Sequence, residues 1–173
     1  MENDIRLRYG KARTAVPDGT AITVLHIGEE QTAAATGSAF EPDVVLLLAI
    51  GSKKTASDFF KHAPPTPGEL ENAIMVVEDE VTRLRSITAT ASKLVTSDAA
   101  IREIALVAGV PGQPELILRL DAVERTFDLL AALTLGRPAS SAGIPVNAAF
   151  AATLLILREF MHHLQFASVT VTS

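Results

Sequence analysis

The sequence has no cysteine. That excludes a disulfide scaffold, a thiolate zinc site and a cysteine nucleophile. It has no tryptophan and one tyrosine, and aromatics are only 5% of the residues. Most of the stacking surface used by single-strand nucleic-acid binders is therefore missing. A basic balance is missing too: the formal charge is −5, and a phosphate backbone needs a basic face to meet it. No nucleic-acid partner is expected. The start, Met1-Glu2-Asn3-Asp4-Ile5-Arg6, lacks the apolar core behind a basic cap that marks a secretory signal. The longest uncharged run, residues 138–157, is interrupted by Pro138, Ser140, Ser141, Gly143, Pro145 and Asn147. Its apolar part falls short of the ~20 residues a membrane span needs. A buried helix is the better reading, with no membrane partner and a cytoplasmic location by default.

What is present suits a packed globule. The chain has 173 residues, 48% of them hydrophobic and 20% charged. That length can bury most of its surface in one core, so a single domain over residues 1–173 is expected, and a mostly disordered chain is ruled out.

The first sixty residues read as mainly β. Ile5, Leu7 and Tyr9 alternate with Arg6 and Arg8, the period of a half-buried strand. Pro17-Asp18-Gly19 reads as a hairpin turn between Lys11–Val16 and Ala21–Ile27. Gly28-Glu29-Glu30 turns the chain into Gln31–Thr36, and the apolar run Val44–Ile50 suits a central strand covered on both faces. Residues 61–166 switch to helical spacing. Thr66-Pro67-Gly68-Glu69 is a capping box with proline at the first helical position. Leu70, Ile74, Val77, Val81, Leu84, Thr88, Ala91 and Val95 then form one stripe, predicting a helix to about Lys93–Thr96. Ser97 or Asp98 caps a second helix to Ala108, ended by Gly109 and Pro111. Glu115–Leu120 alternates and reads as a strand. A third helix follows from an Asp121–Glu124 box to Leu135. A fourth starts near Pro145, with Val146, Phe150, Leu154, Leu157, Met161 and Leu164 on its stripe. Residues 167–173 are β-prone and read as an edge strand. The expected class is α+β: an N-terminal antiparallel or mixed meander sheet against about four helices, with a C-terminal strand.

Several patterns bear on chemistry. Gly51-Ser52-Lys53-Lys54-Thr55 follows the Val44–Ile50 strand, where phosphates are often held. It is not a Walker loop, because Lys53 and Leu48 stand where that loop needs glycine. Nor does it complete the Asp-x-Gly-Ser/Thr phosphate loop of the actin-like sugar kinase and polyphosphatase superfamily. Ala49 replaces the aspartate, and the chain is not assigned there on these residues. Three prolines at 64, 65 and 67 fix the backbone before the long helix, whose N-terminus attracts anions. Gly51, Ser52, Lys53, Lys54, His62 and Thr66 are thus the candidate ligand-binding residues, for a phosphate or carboxylate. His62, Glu71 and Glu78 are the catalytic candidates, the two glutamates as general base or metal ligand. Glu78-Asp79-Glu80 cannot converge on one ion, since successive helix residues point about 100° apart; a salt-bridged face with Arg83 and Arg85 is the plainer reading. Glu159-x-x-His162, with His163, sits at the spacing of a helix-held metal site, but the motif occurs once where di-iron bundles use two. No cofactor is expected, a divalent metal being the alternative. Ala139-Ser140-Ser141-Ala142-Gly143 lacks the preceding strand that a nucleophile elbow requires.

No catalytic motif is complete. The first reading is therefore a binding or assembly domain of unknown function, working as a homodimer through its surplus helix stripes. The alternative is a small enzyme or sensor of phosphoester-hydrolase type at the Gly51–Glu71 junction, acting on a phosphorylated or carboxylated metabolite.

Overall fold

The computed structural model describes residues 1–85 and 92–173, apart from the side chain of residue 139. Among the described residues it holds a mixed six-stranded sheet and seven helices, an α+β fold.

The chain opens with a helix, α1 (Glu2–Thr14), where alternation suggests a strand. The i,i+4 pattern is the stronger signal. Ile5, Tyr9 and Arg13 are all buried on one side, while Leu7 is 68% exposed. Glu2–Arg6 and Asp4–Arg8 form i,i+4 ion pairs at 3.1 and 2.8 Å. The Lys11–Val16 strand is therefore absent. Buried Arg13 instead donates to the carbonyls of Val16, Pro17 and Thr20, closing the turn that follows.

β1 (Ile22–Ile27) and β2 (Thr32–Gly37) pair antiparallel around the expected turn. Among the described residues β3 (Val44–Leu48) pairs with β2 alone and is an edge, not a central strand. Its Leu47 is exposed, so one face of the apolar run is left open. α2 (Ser52–Phe59) begins where the sequence suggests a loop. α3 (Pro67–Thr82) starts on the predicted capping box, both halves of which are made. It ends well before the predicted limit. Residues 86–91, with Thr88 and Ala91 of the proposed stripe, lie outside the described residues. Lys93–Thr96 is strand β4. Four residues are too few to show alternation, so the helical period runs across them.

α4 (Ala99–Val107), β5 (Leu116–Arg119) and α5 (Leu120–Thr134) follow. Asp121 lies inside the first turn of α5, whose N-cap position is Arg119. α6 (Ala139–Ala142) is one short turn, in which Ser141 Oγ donates to the Pro138 carbonyl at 2.8 Å. α7 (Ala148–His163) is capped by Asn147, which accepts from the Phe150 amide at 2.7 Å. Residues 150–157 of α7 are all buried, the mark of a central helix. No described helix is long and apolar enough to cross a membrane.

β6 (Ser168–Val171) is not an edge strand. It lies between β4 and β5, parallel to one and antiparallel to the other, in the order β3-β2-β1-β4-β6-β5. The sheet divides the core. Ile5 and Tyr9 of α1 pack on Ile22, Val24, Ala33, Ala35 and Val95. Leu25, Ile27, Leu94, Leu118 and Val169 face the other way, onto the remaining helices. α7 packs against α2, α3, α4 and α5. Leu70, Val77 and Val81 of the α3 stripe are buried within this core.

Candidate functional site

β1 and β4 run parallel side by side, and both end at the same edge of the sheet. Beyond Ile27 the chain turns tightly through residues 28–31. Beyond Thr96 it enters α4. In open sheets the ends of adjacent parallel strands are where ligands bind. Here a cluster of charges fills the place.

Asp98 sits in the N-cap position of α4, yet its side chain does not cap that helix. Its Oδ2 accepts from the Ile27 amide at 2.7 Å. Its Oδ1 lies 2.7 Å from His26 Nδ1 and accepts from Arg8 Nη1 at 3.2 Å. With the carboxylate accepting on both oxygens, the Nδ1 proton of His26 belongs to this bond. Period-two alternation sends His26 to the α1 side, beside Ile22 and Val24. Its Nε2 is 3.5 Å from Asp4 Oδ2. Arg8 also donates to Ser97 Oγ at 3.0 Å and to Asp4 at 2.8 Å. That bond from Arg8 holds the Asp4 carboxyl below its ordinary pKa. A groove of about 610 Å³ runs alongside, between α1 and the ends of β4 and β6. Asp4, Arg8, Lys11, Ser97, Thr172 and Ser173 line it over Val24 and Val95.

The residues singled out from sequence lie elsewhere. Ser52, Lys53 and Lys54 form the N-terminus of α2, but their amides already donate to the carbonyls of Gly28 and Glu29 at 2.9–3.0 Å. Gly51 lets the turn approach this closely. Lys53 pairs with Glu29 at 2.7 Å and Lys54 with Asp58 at 2.8 Å. The β1–β2 turn thus takes up the first amides of α2. His62 is 68% exposed and pairs with Glu69 at 2.9 Å. Thr66 caps α3 by accepting from the Glu69 amide. Glu71 is exposed, and Glu78 lies 3.6 Å from His163 Nε2, so neither joins His62. Buried Glu159 pairs with His163 at 3.0 Å and with Arg158, while His162 turns to Glu124 at 3.3 Å. Among the described residues no three acidic or histidine side chains gather as a metal site.

Glu69 yields a testable pH effect. The Thr66 amide donates to its carboxylate, and His62 adds to the effect, lowering its pKa from 4.5 to about 2. A carboxylate depressed in the folded state stabilises above its unfolded pKa and loses that contribution as pH falls through the folded one. Denaturation midpoints should therefore decline as the pH drops from 4.5 to about 2. Glu69→Gln should be less stable at neutral pH and flatter across that window. Parallel profiles for the two proteins would refute the assignment.

Sequence reasoning misses the Arg8–His26–Asp98 cluster. Its members are 18 to 90 positions apart, and each has a plainer local reading. Only the Asp4–Arg8 spacing hints that α1 presents charges to the sheet.

No family model matches the chain, and no curated protein sequence does. Solved structures do. The chain superposes over 99% of its length on a Ppx/GppA phosphatase of Aquifex aeolicus, described as the type II variant, with TM-score 0.80 at 19% identity and 59% of that chain covered. Another structure of the Aquifex enzyme gives TM-score 0.79 at 20% identity, covering 60% of it. An exopolyphosphatase from Cytophaga hutchinsonii gives 0.74 at 16%, again over 99% of this chain and 59% of the other. The chain thus spans about three fifths of the length of these structures. The likeness establishes the fold. It also overturns the first functional reading and the description as a domain of unknown function: these solved chains carry phosphatase names, not those of assembly modules. The polyphosphatase comparison that Ala49 argued against is matched in fold alone.

Proposed function

We propose that the chain is a phosphatase-type unit acting on a phosphorylated compound, an ester or an anhydride, at the strand ends where β1 and β4 meet α1. The observation that carries this reading is the superposition of nearly the whole chain on phosphatase folds. The groove supports it chemically. Arg8 and Lys11 bring positive charge, and Ser97, Thr172 and Ser173 bring hydroxyl donors, to a site at the carboxyl ends of parallel strands. The Gly51–Glu71 junction is the less favoured position, because its helix amides are already bonded to the chain. A cytoplasmic location belongs to the same proposal.

The test is phosphate release from inorganic polyphosphate and from a small phosphomonoester, with tripolyphosphate binding measured alongside. Arg8→Ala should weaken binding roughly ten- to a hundredfold, the loss expected for a charged hydrogen bond. If no phosphate is released from either substrate, the reading fails.

A further inference from the structure

We propose that Arg8, His26 and the Ile27 amide form an oxyanion site, which Asp98 occupies in the absence of ligand and a phosphate group enters by displacing it. The inference rests on the phosphatase reading for its ligand class.

Asp98 stands where an aspartate ordinarily caps its own helix. Its carboxylate instead turns away, to donors on two other elements, α1 and β1. The result is a charged guanidinium, an imidazole N–H and a main-chain N–H around one carboxylate. The same donor types hold phosphate oxygens. Arg8 belongs to both environments, lining the open groove and contacting the buried carboxylate. It thus links the groove to the occupied site. Ser97 Oγ, already bonded to Arg8 at 3.0 Å, offers a further hydroxyl for an anion with more oxygens than a carboxylate.

Charge makes the two occupants exclusive. Asp4 already faces the cluster, from Arg8 Nε and His26 Nε2. A phosphate beside both Asp4 and Asp98 would meet two carboxylates at close range. With Asp98 withdrawn it meets one, against Arg8, Lys11 and the His26 N–H. Asp98 also has somewhere to go. The first amides of α4 lack a side-chain cap among the described residues, so rotation of its own side chain exchanges one set of donors for another. Apparent affinity is then the intrinsic affinity multiplied by the fraction of molecules with Asp98 withdrawn.

Calorimetric titration of inorganic phosphate into wild type, Asp98→Ala and Arg8→Ala/Asp98→Ala tests this. Asp98→Ala should bind at least tenfold more tightly than wild type, and the double variant should lose the gain. Equal or weaker binding by Asp98→Ala overturns the proposal, and the phosphatase reading is then judged by phosphate release alone. If Asp98→Ala gains affinity while no protein releases phosphate from any substrate, the site stands and the phosphatase reading falls. If Asp98→Ala does not melt cooperatively, Asp98→Asn carries the test, since it keeps the size and removes the charge. No gain in that variant overturns the proposal equally.

Discussion

Replacing Phe160 with alanine is expected to cost about 3–5 kcal/mol of stability. For a chain of this length that lowers the thermal midpoint by roughly 6–20 °C. Phe160 is fully buried on α7, the helix against which α2, α3, α4 and α5 pack. Its ring stacks on Phe166 with centroids 5.9 Å apart and planes 3° from parallel. The loss therefore combines a lost transfer term with a cavity that four surrounding helices cannot all collapse into. Leu135→Ala is the control: that side chain is 78% exposed, and its loss should stay within about 0.5 kcal/mol. A cost below about 1 kcal/mol for Phe160→Ala would mean that α7 is not the packing centre of the molecule.

Gly51→Ala should destabilise by about 3 kcal/mol, beyond what a surface glycine would cost, because the added methyl overpacks backbone rather than a movable side chain. A Cβ there would lie 2.5 Å from Glu29 O and Glu30 C, and 2.6 Å from Gln31 N. The turn it strikes is the one to which Ser52, Lys53 and Lys54 donate their amides. Moving that turn breaks these bonds and shifts the end of β1, next to His26. Amide resonances of residues 26–31 should move as well. Gly68→Ala is the comparison. Nothing lies within 4 Å of its Cβ position, and it should be neutral or stabilising by up to ~1 kcal/mol. Equal effects at the two glycines would refute the close approach of turn and helix.

Local chemistry is readable where it recurs within a few residues. The Thr66–Glu69 box announces α3. The turn at Gly28 separates the two segments that become β1 and β2. The uncharged, mainly apolar stretch before Arg158 announces α7. Misreadings arise where two periods compete. Ile5, Leu7 and Tyr9 fit a strand, but Ile5 and Tyr9 also fit one helix face, and the acid–arginine pairs at i,i+4 decide for the helix. β4 is hidden because Val95 continues the spacing of α3 by coincidence. The candidate site is less legible still. Arg8, His26 and Asp98 are joined only by strand pairing between β1 and β4 and by the docking of α1, and nothing near any of them encodes that register. Lysines near a glycine look like an anion site, yet the amides beneath them are already bonded by a turn distant in sequence and close in space.

The position of β6 has a consequence for how the chain folds. Among the described residues it is the last strand in chain order, yet it holds β5 to the rest of the sheet. Until it docks, β3, β2, β1 and β4 can assemble while β5 has no strand partner. The final docking joins segments more than seventy residues apart, such as Leu94 and Val169. Such late, non-local pairing slows folding and leaves an unpaired edge exposed meanwhile. During synthesis the open side of β4 would stay available for intermolecular pairing until the ribosome has released residues 168–171. A chain cut before Ser168 should therefore aggregate through that edge rather than merely lose four residues.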